Sequence, residues 1–478
     1  MTAKNTIHSP SRSELLSIRI MVFLGLLSMG FFLYTLYQAG HAQRSILFWL
    51  LLFTIVFTCI RIIAEWVHYI HITVPPIPPL EKEFSVDIFT TYCPGEPIAM
   101  IEETLRAIAQ IRYPHKGYLC DEANDPYLRE LCKHLGIYHV TRTDRKDAKA
   151  GNINNALKQS SGELCVVLDP DHVPSPEFLD PIVPHFNDPS IGFVQIVQAY
   201  KNSRSSLIAK GAAQQTYQFY GPMMMTMNKY GTVPAIGANC TFRRSALDSI
   251  GGHAAGLAED MNTAMHLHAR GWRSVYVPMV LARGLVPSTL SAYYKQQLKW
   301  SRGVFELLFT TYPRLFRRFT WRQKLHYGLG ALYYFSGVVF LINFLIPILF
   351  LLDLSTASIG LEGFMISVFP LIVAIVLIRH YVQTWVMDFK ERGFHVVGGL
   401  LMIGTWWIHA LGFVFAVIRK KVPYDPTPKD NDRSSDWSIN IPNMVVIVLS
   451  AFAIIYGLYR DWNPYTIGMA GFALLNCL

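Results

Sequence analysis

Leu164-Cys165-Val166-Val167-Leu168-Asp169-Pro170-Asp171-His172 is the stretch on which the reading of this chain turns. Five consecutive apolar residues are too few for a helix. Without polar alternation they describe a strand covered on both faces, as in a parallel sheet. Two carboxylates, two residues apart, follow at its end. Upstream, Val86-Asp87-Ile88-Phe89 reads as another strand, residues 98–109 as an amphipathic helix, residues 117–120 as a strand, and residues 127–135 as a helix. Such alternation predicts a mostly parallel sheet layered with helices. Ligands of such sheets gather at the carboxyl ends of the strands.

Outside residues 81–318 the composition changes. The 478 residues are 51% hydrophobic and only 16% charged, against about 25% charged in soluble domains. The deficit lies in long apolar runs on both flanks. The net charge of +9 comes from basic residues beside those runs (Arg314, Arg317, Arg318, Arg322, Lys324; Arg419, Lys420, Lys421). That placement speaks for membrane orientation, and no nucleic-acid module is visible. Seven cysteines without a C-x-x-C spacing read as reduced thiols rather than disulfides or a zinc site.

Residues 20–37 and 46–64 are each long enough to span a bilayer. With Lys4, Arg12 and Arg19 ahead of the first, two crossings leave the N-terminus and residues 81–318 in the cytosol. Apolar segments follow at 327–352, 364–385, 396–418, 441–459 and 465–478. If all crossed, Arg419-Lys420-Lys421 would face outward. Segment 396–418, with Gly398, Gly399, Gly404, Trp406, Trp407 and His409, suits the interface instead. Six crossings are therefore expected; the last, about 14 residues, is short, tilted or cut. Asn343 and Gln383 are candidates to line a polar path, with packing as the plainer role.

Four places carry candidate chemistry. Asp169 and Asp171 suit one hard cation, Mg2+ (or Mn2+), together with substrate phosphates. Lys149-Ala150-Gly151-Asn152 opens a helix whose amides and ammonium suit phosphate. Asp260, after Glu259, stands at a helix start and suits a general base. Gln296, Lys299 and Trp300 lie on an amphipathic stretch just before the apolar runs resume. Each alone has a plainer role: a turn, a solvated lysine, an N-cap, an interface anchor.

In order, these pieces resemble the processive family 2 glycosyltransferases of the cellulose synthase type. The likeness runs through Val86-Asp87-Ile88-Phe89 with Thr91-Tyr92, Asp121, Lys149 to Asn152, Asp169 to Pro174, Ala258-Glu259-Asp260 and Gln296 to Trp300. It implies an α/β cytosolic glycosyltransferase domain of GT-A type, with a mostly parallel sheet, inserted into an α-helical transmembrane bundle. Asp87, Thr91, Tyr92, Asp121, Lys149, Asp169, Gln296 and Lys299 would bind the nucleotide sugar, and Asp169 and Asp171 the metal. Asp260 would be the general base. Trp300 and the Gly237-Ala238-Asn239-Cys240 run (Gly237, Asn239, Cys240) would meet the acceptor, and Thr427 and Lys429 would belong to a gating loop. The chain departs from the family pattern at Lys299, where arginine is usual; Arg302 is a candidate to compensate.

The organisation expected is two membrane helices in 1–80, the catalytic domain in 81–287, interfacial helices in 288–326, two membrane helices in 327–385, an interfacial helix and gating loop in 386–440, and membrane helices in 441–478. The implied activity is inverting polymerisation of a β-glucan from UDP-glucose at the cytosolic face of an inner (plasma) membrane, with secretion through the protein's own channel. UDP-N-acetylglucosamine is the second donor, and transfer of one sugar to a lipid carrier the alternative reaction. A transporter with a nucleotide-sensing domain is the rival from another class. Partners are a UDP-sugar, the growing polysaccharide and the bilayer, with accessory secretion proteins or a homo-oligomer left open.

Overall fold

The structure, a computed structural model, describes residues 7–39, 46–352, 361–386, 389–420, 422 and 437–477. Thr427 and Lys429, the expected gating-loop residues, lie outside them. Ten strands occur among the described residues: β1 (Val86–Tyr92), β2 (Lys116–Asp121), β3 (Tyr138–Val140), β4 (Leu164–Leu168), β5 (Val173–Pro174), β6 (Ile191–Ile196), β7 (Ala199–Tyr200), β8 (Cys240–Arg243), β9 (Arg273–Val277) and β10 (Ala282–Gly284). Seven form one sheet in the order β3-β2-β1-β4-β8-β6-β9, and three form a small sheet, β5-β10-β7.

The large sheet is parallel except for β8, which runs antiparallel to both neighbours with Val167 opposite Cys240. β4 is buried throughout because alternate residues enter two cores. Leu164, Val166 and Leu168 meet Ile101 and Leu105 of the Ile98–Ile108 helix, while Cys165 and Val167 meet Ile153 and Ala156 of the Ala148–Leu157 helix. This two-sided burial is what an unbroken apolar run requires. It places the carboxyl ends of β1, β2 and β4 on one edge, joined there by the loop that leads into β8.

Among the described residues five helices are long and apolar enough to cross a membrane: Arg12–Gln38, Ile46–Val67, Leu332–Leu351, Glu362–Trp385 and Ser438–Arg460. At 1.5 Å per residue, 20 residues reach about 30 Å, one hydrocarbon thickness. The sixth expected crossing, at 465–478, holds the 12-residue helix Pro464–Leu475, roughly 18 Å long.

The chain enters the first span beside the place where it leaves the second. The Ser9 hydroxyl donates to the Val74 carbonyl at 3.1 Å, and the Arg19 guanidinium to the Ile70 carbonyl at 3.3 Å. Helices Val396–Gly404 and Trp406–Val417 form a pair bent by 47°. At one end the Gly398 amide donates to Gln214 at 2.9 Å and Gln215 donates to the Gly398 carbonyl at 3.1 Å, both glutamines lying on the Leu207–Gln218 helix. At the other end Arg302, on the Leu290–Phe309 helix, donates to the Lys420 carbonyl at 3.2 Å. Both ends are thus held by helices of residues 207–309. The bend leaves the Gly404 carbonyl without a helical partner, and Asn443 donates to it at 2.9 Å.

Candidate active site

Asp169-Pro170-Asp171 turns out of β4 at the carboxyl edge. The Thr104 hydroxyl pins the turn by donating to the Pro170 carbonyl at 2.8 Å. Asp171, 2% exposed, accepts from the Leu285 amide at 2.8 Å just beyond β10. The small sheet thereby fixes one carboxylate. His172 lies with its Nδ1 3.4 Å from Asp171 Oδ1, and its ring occupies the space a side chain at Gly284 would need. Its Nε2 is buried without a hydrogen-bond partner. Donor atoms of Asp169, Asp171 and His172 all lie within 4.8 Å of one another. Two carboxylates and an imidazole nitrogen at that separation fit a divalent cation.

Lys149 occupies the first turn of the Ala148–Leu157 helix and reaches across the edge. Its ammonium pairs with Asp169, donates to the Gly237 carbonyl at 3.0 Å and lies 3.9 Å from Glu259. Burial alone would depress this ammonium. The Asp169, Glu259 and Asp260 carboxylates outweigh it and hold the group above the ordinary lysine range. Burial likewise pushes Asp169 up, but Lys149 and His172 pull it below the usual carboxylate value. The lysine and the first metal-site acid therefore both stay charged.

Asp260 stands in the first turn of the Glu259–Ala269 helix, whose N-cap is Ala258, so it is not a cap. The chain at Gly237 runs past it at φ +91°, where a Cβ would come within 3.4 Å of Asp260 Oδ2. The left-handed backbone and this close approach together explain a glycine there. Burial, and then the Glu259 charge beside it, raise the Asp260 carboxyl to about 7, a value suited to a base working near neutrality. Lys299 feels Glu259, Lys149, Asp169 and Asp260, and burial pulls its ammonium below the ordinary lysine value. Lys149, Asp169, Asp171, Asp260, Lys299 and Gly237 therefore share one site. Gln296 and Trp300, half-buried, lie on the Lys299 helix.

Some expected site residues lie elsewhere. Asp87 is near the start of β1, paired with Lys116 and Cys165, at the edge opposite the site. Its carboxylate, 1% exposed, accepts from the Gly162 amide and pairs with Arg244 at 3.1 Å, a structural lock far from a nucleotide. Asp121 is at the correct edge but fully buried. It accepts from the amides of Ala123, Asn124 and Asp125 and lies 2.8 Å from His139, so it shapes the following loop. Asn239 and Cys240 are 0% and 2% exposed. Cys240 begins β8, Asn239 precedes it at φ +59°, and burial pushes the Cys240 thiol well up. Of that run Gly237, half-buried, and Cys240 line the same cavity as Lys149, Glu259 and Asp260. Arg302 does not replace the missing arginine, because it turns to Glu306 at 2.7 Å and the Lys420 carbonyl. Thr91 and Tyr92 end β1 at the correct edge, both buried, with the Tyr92 hydroxyl donating to the Glu96 carbonyl at 2.9 Å. Away from the site, Gln383 exchanges hydrogen bonds with the backbone of Gly393, a packing role.

Sequence reasoning missed three residues. His172 adjoins the carboxylates in the motif itself, which is the signal that could have marked it. Arg142 gives no local signal. Buried, it pairs with Glu122 and donates to the carbonyls of Lys146, at 2.7 Å, and Ala148, clamping the loop that presents Lys149. Gln297 lies 3.3 Å from His409 Nε2 and ties the Lys299 helix to the bent pair.

Residues 164–381 match the family model described as Glycosyl transferase family group 2. The chain is 32% identical over 264 residues to the Cellulose synthase catalytic subunit [UDP-forming] of Xanthomonas axonopodis pv. citri (strain 306), covering 53% of this chain and 36% of that protein. To the same-named subunit of Pseudomonas fluorescens (strain SBW25) it is 26% identical over 395 residues, 79% of this chain and 52% of the relative. The chain thus spans about half, or less, of the length of these relatives. Among solved structures it is similar to the mannosyltransferase PcManGT from Pyrobaculum calidifontis, in complex with GDP-Man and Mn2+. The TM-score is 0.53 at 17% identity, covering 78% of this chain and all of that one. The sheet order and this likeness give a GT-A-like fold.

Proposed function

For a chain that carries a family 2 glycosyltransferase domain, we propose processive, inverting synthesis of a β-linked polysaccharide, a β-glucan from UDP-glucose. What carries the reading is the convergence of Asp169, Asp171, Lys149, Asp260 and Lys299 at one sheet edge, against the helix that bears Trp300. The relatives named UDP-forming support a UDP-sugar donor.

Asp260 takes the proton from the acceptor hydroxyl as that oxygen attacks the sugar carbon from the face opposite the diphosphate. One base suffices, because a charge-stabilised diphosphate leaves without protonation. Lys149 and Lys299 hold the oxygens on which negative charge grows, and their fixed positions cost no reorganisation during the step. A divalent cation, when bound by Asp169, Asp171 and His172, supplies Lewis-acid stabilisation of the same leaving group. Thr91 and Tyr92, at the end of β1, frame the nucleotide end of the site. Trp300 offers an apolar face for the last sugar ring of the acceptor.

A route for the polymer is supported by polar side chains beyond that helix. The hydroxyls of Tyr293 and Tyr333 donate to Gln215 at 2.8 and 3.2 Å, His409 meets Gln297, and Arg61 lies 3.6 Å from Glu65 inside the second span. Polar groups within or beside apolar helices are costly unless they pair with one another or face water or a polar cargo. We place the protein in an inner membrane with residues 81–287 as the cytoplasmic catalytic unit. Membranes incubated with single labelled UDP-sugars, followed by linkage-specific glucanase digestion, test the reading. High polymer from UDP-glucose is expected; a lipid-linked single sugar would replace it with the carrier reaction.

A further inference from the structure

Four basic side chains from four separate elements meet where the first two spans join the α/β domain. Arg19, one residue before the apolar run at 20–37, donates through Nε and Nη2 to the Ile70 carbonyl, both at 3.3 Å. The next residue, His71, has its Nδ1 3.2 Å from the Lys229 ammonium on the Met224–Tyr230 helix. Arg322, on the Trp321–Gly330 helix, stacks on the Tyr230 ring at 3.4 Å. The same ring has His71 edge-on at 6.0 Å and the Lys229 ammonium at 6.0 Å. One tyrosine thus gathers an imidazole, an ammonium and a guanidinium, with a second guanidinium on the adjoining backbone.

Among the described residues, none of these four groups has a carboxylate within salt-bridge distance. Burial first, and then Lys229, Arg19 and Arg322, keep His71 below the ordinary imidazole value, so every charge acting on it is a cation. The Lys229 ammonium and the two guanidiniums carry like charge, the neutral imidazole accepts only from the ammonium, and aromatic stacking offsets little of the repulsion. An anion with several acceptor oxygens would relieve the repulsion and accept from several of these four groups at once. The cluster's depth says where that anion comes from. Arg19 borders the apolar run, and Trp321, 64% exposed, flanks Arg322 at 4.3 Å as an interfacial aromatic.

We propose that Arg19, His71, Lys229 and Arg322 form a binding site for the phosphate of an anionic phospholipid headgroup, seated beside Tyr230. The site lies apart from the carboxyl-edge residues and does not depend on the assigned reaction. Its ligand is a single ordered lipid rather than a diffuse cloud of surface lipid.

The test uses the full chain in nanodiscs of phosphatidylcholine with or without phosphatidylglycerol. Native mass spectrometry counts retained lipid, and titration of phosphatidylglycerol gives an apparent affinity. Retention of phosphatidylglycerol over phosphatidylcholine is expected. Lys229→Gln and Arg322→Gln should each weaken retention about 5-fold, from the attraction of one basic residue near an anionic surface. Arg317→Gln with Arg318→Gln, equally basic but outside the cluster, should not change it. Equal loss in that control pair would mean non-specific surface attraction and overturn the site. Retention unchanged in the Lys229→Gln/Arg322→Gln double variant would also overturn it. Millimolar inorganic phosphate displacing the lipid would assign the cluster to a soluble phosphate instead. Unchanged thermal midpoints in phosphatidylcholine alone verify that the variants fold.

Discussion

Glu259→Gln isolates one of the two causes that lift Asp260. The carboxyl titrates at about 7 because it is buried and because Glu259 stands beside it. Two unit charges about 7 Å apart at an effective dielectric near 20 interact by roughly 2 kcal/mol, or about 1.5 pKa units. Lys149, 3.9 Å from Glu259, already offsets part of that charge, so removing it should lower Asp260 by about 1 unit. The sign follows from the role. A base must be deprotonated, so transfer is lost as pH falls through the Asp260 value. The wild-type rate, measured as UDP release from labelled UDP-glucose in membranes, should have an acid limb centred near 7. In Glu259→Gln the limb should move to about pH 6, with the plateau retained to within about 10-fold. Asp260→Asn should remove about 100- to 10,000-fold of the activity at every pH. An acid limb that stays in place in Glu259→Gln, or survives in Asp260→Asn, would refute the assignment of the base.

The same carboxyl bears on stability. Its raised value means the folded state keeps a proton between about pH 4 and 7 that the unfolded chain releases, so stability falls across that window. Asp260→Asn should therefore raise the thermal midpoint above pH 7, corresponding to about 1–2 kcal/mol after allowance for partial exposure, while abolishing transfer. Asp171→Asn should cut transfer at least about 100-fold and raise the Mg2+ or Mn2+ concentration needed for half-activity; chelation should silence the wild type, and restored metal should recover it. Arg142→Ala leaves Glu122 buried without its partner and should cost about 3 kcal/mol, visible as a lowered midpoint and early proteolytic cleavage within residues 141–148. Trp300→Ala should shorten the polymer on size-exclusion analysis, whereas Trp300→Phe, which keeps an aromatic face, should largely preserve its length.

The central strand and its two acids were legible because a five-residue apolar run buried on both faces has few alternatives, and a parallel sheet fixes which end is useful. The same rule places Asp87 wrongly for a ligand contact. It is the second residue of β1, five residues before Tyr92, and a strand rises about 3.3 Å per residue, so its carboxylate lies some 16 Å from the working edge. A family likeness supplied that assignment, and strand direction corrects it. β8 was not legible as a strand, since four residues ending in arginine carry no alternation. Cys240 therefore read as loop when it is sheet. Arg142 and Gln297 were invisible for another reason: their partners, Glu122 and His409, lie 20 and 112 residues away, and no local pattern encodes a contact at that separation. Apolar length made the spans visible. The contacts that tie segment 396–418 to Gln215 and Arg302 span 183 and 118 residues, so charge parity alone spoke to it in the sequence.

Because β8 is laddered to β4 with Cys240 opposite Val167, the loops that bear Asp169 and Gly237 hang from neighbouring strands about 4.8 Å apart. Stretching that interval would mean tearing the middle of the sheet, so evolution is poorly placed to retune the chemistry by moving these two loops relative to one another. Diversification of the sugar or the bond should instead concentrate in side chains delivered from outside the ladder, above all from the helix that carries Gln296 to Trp300.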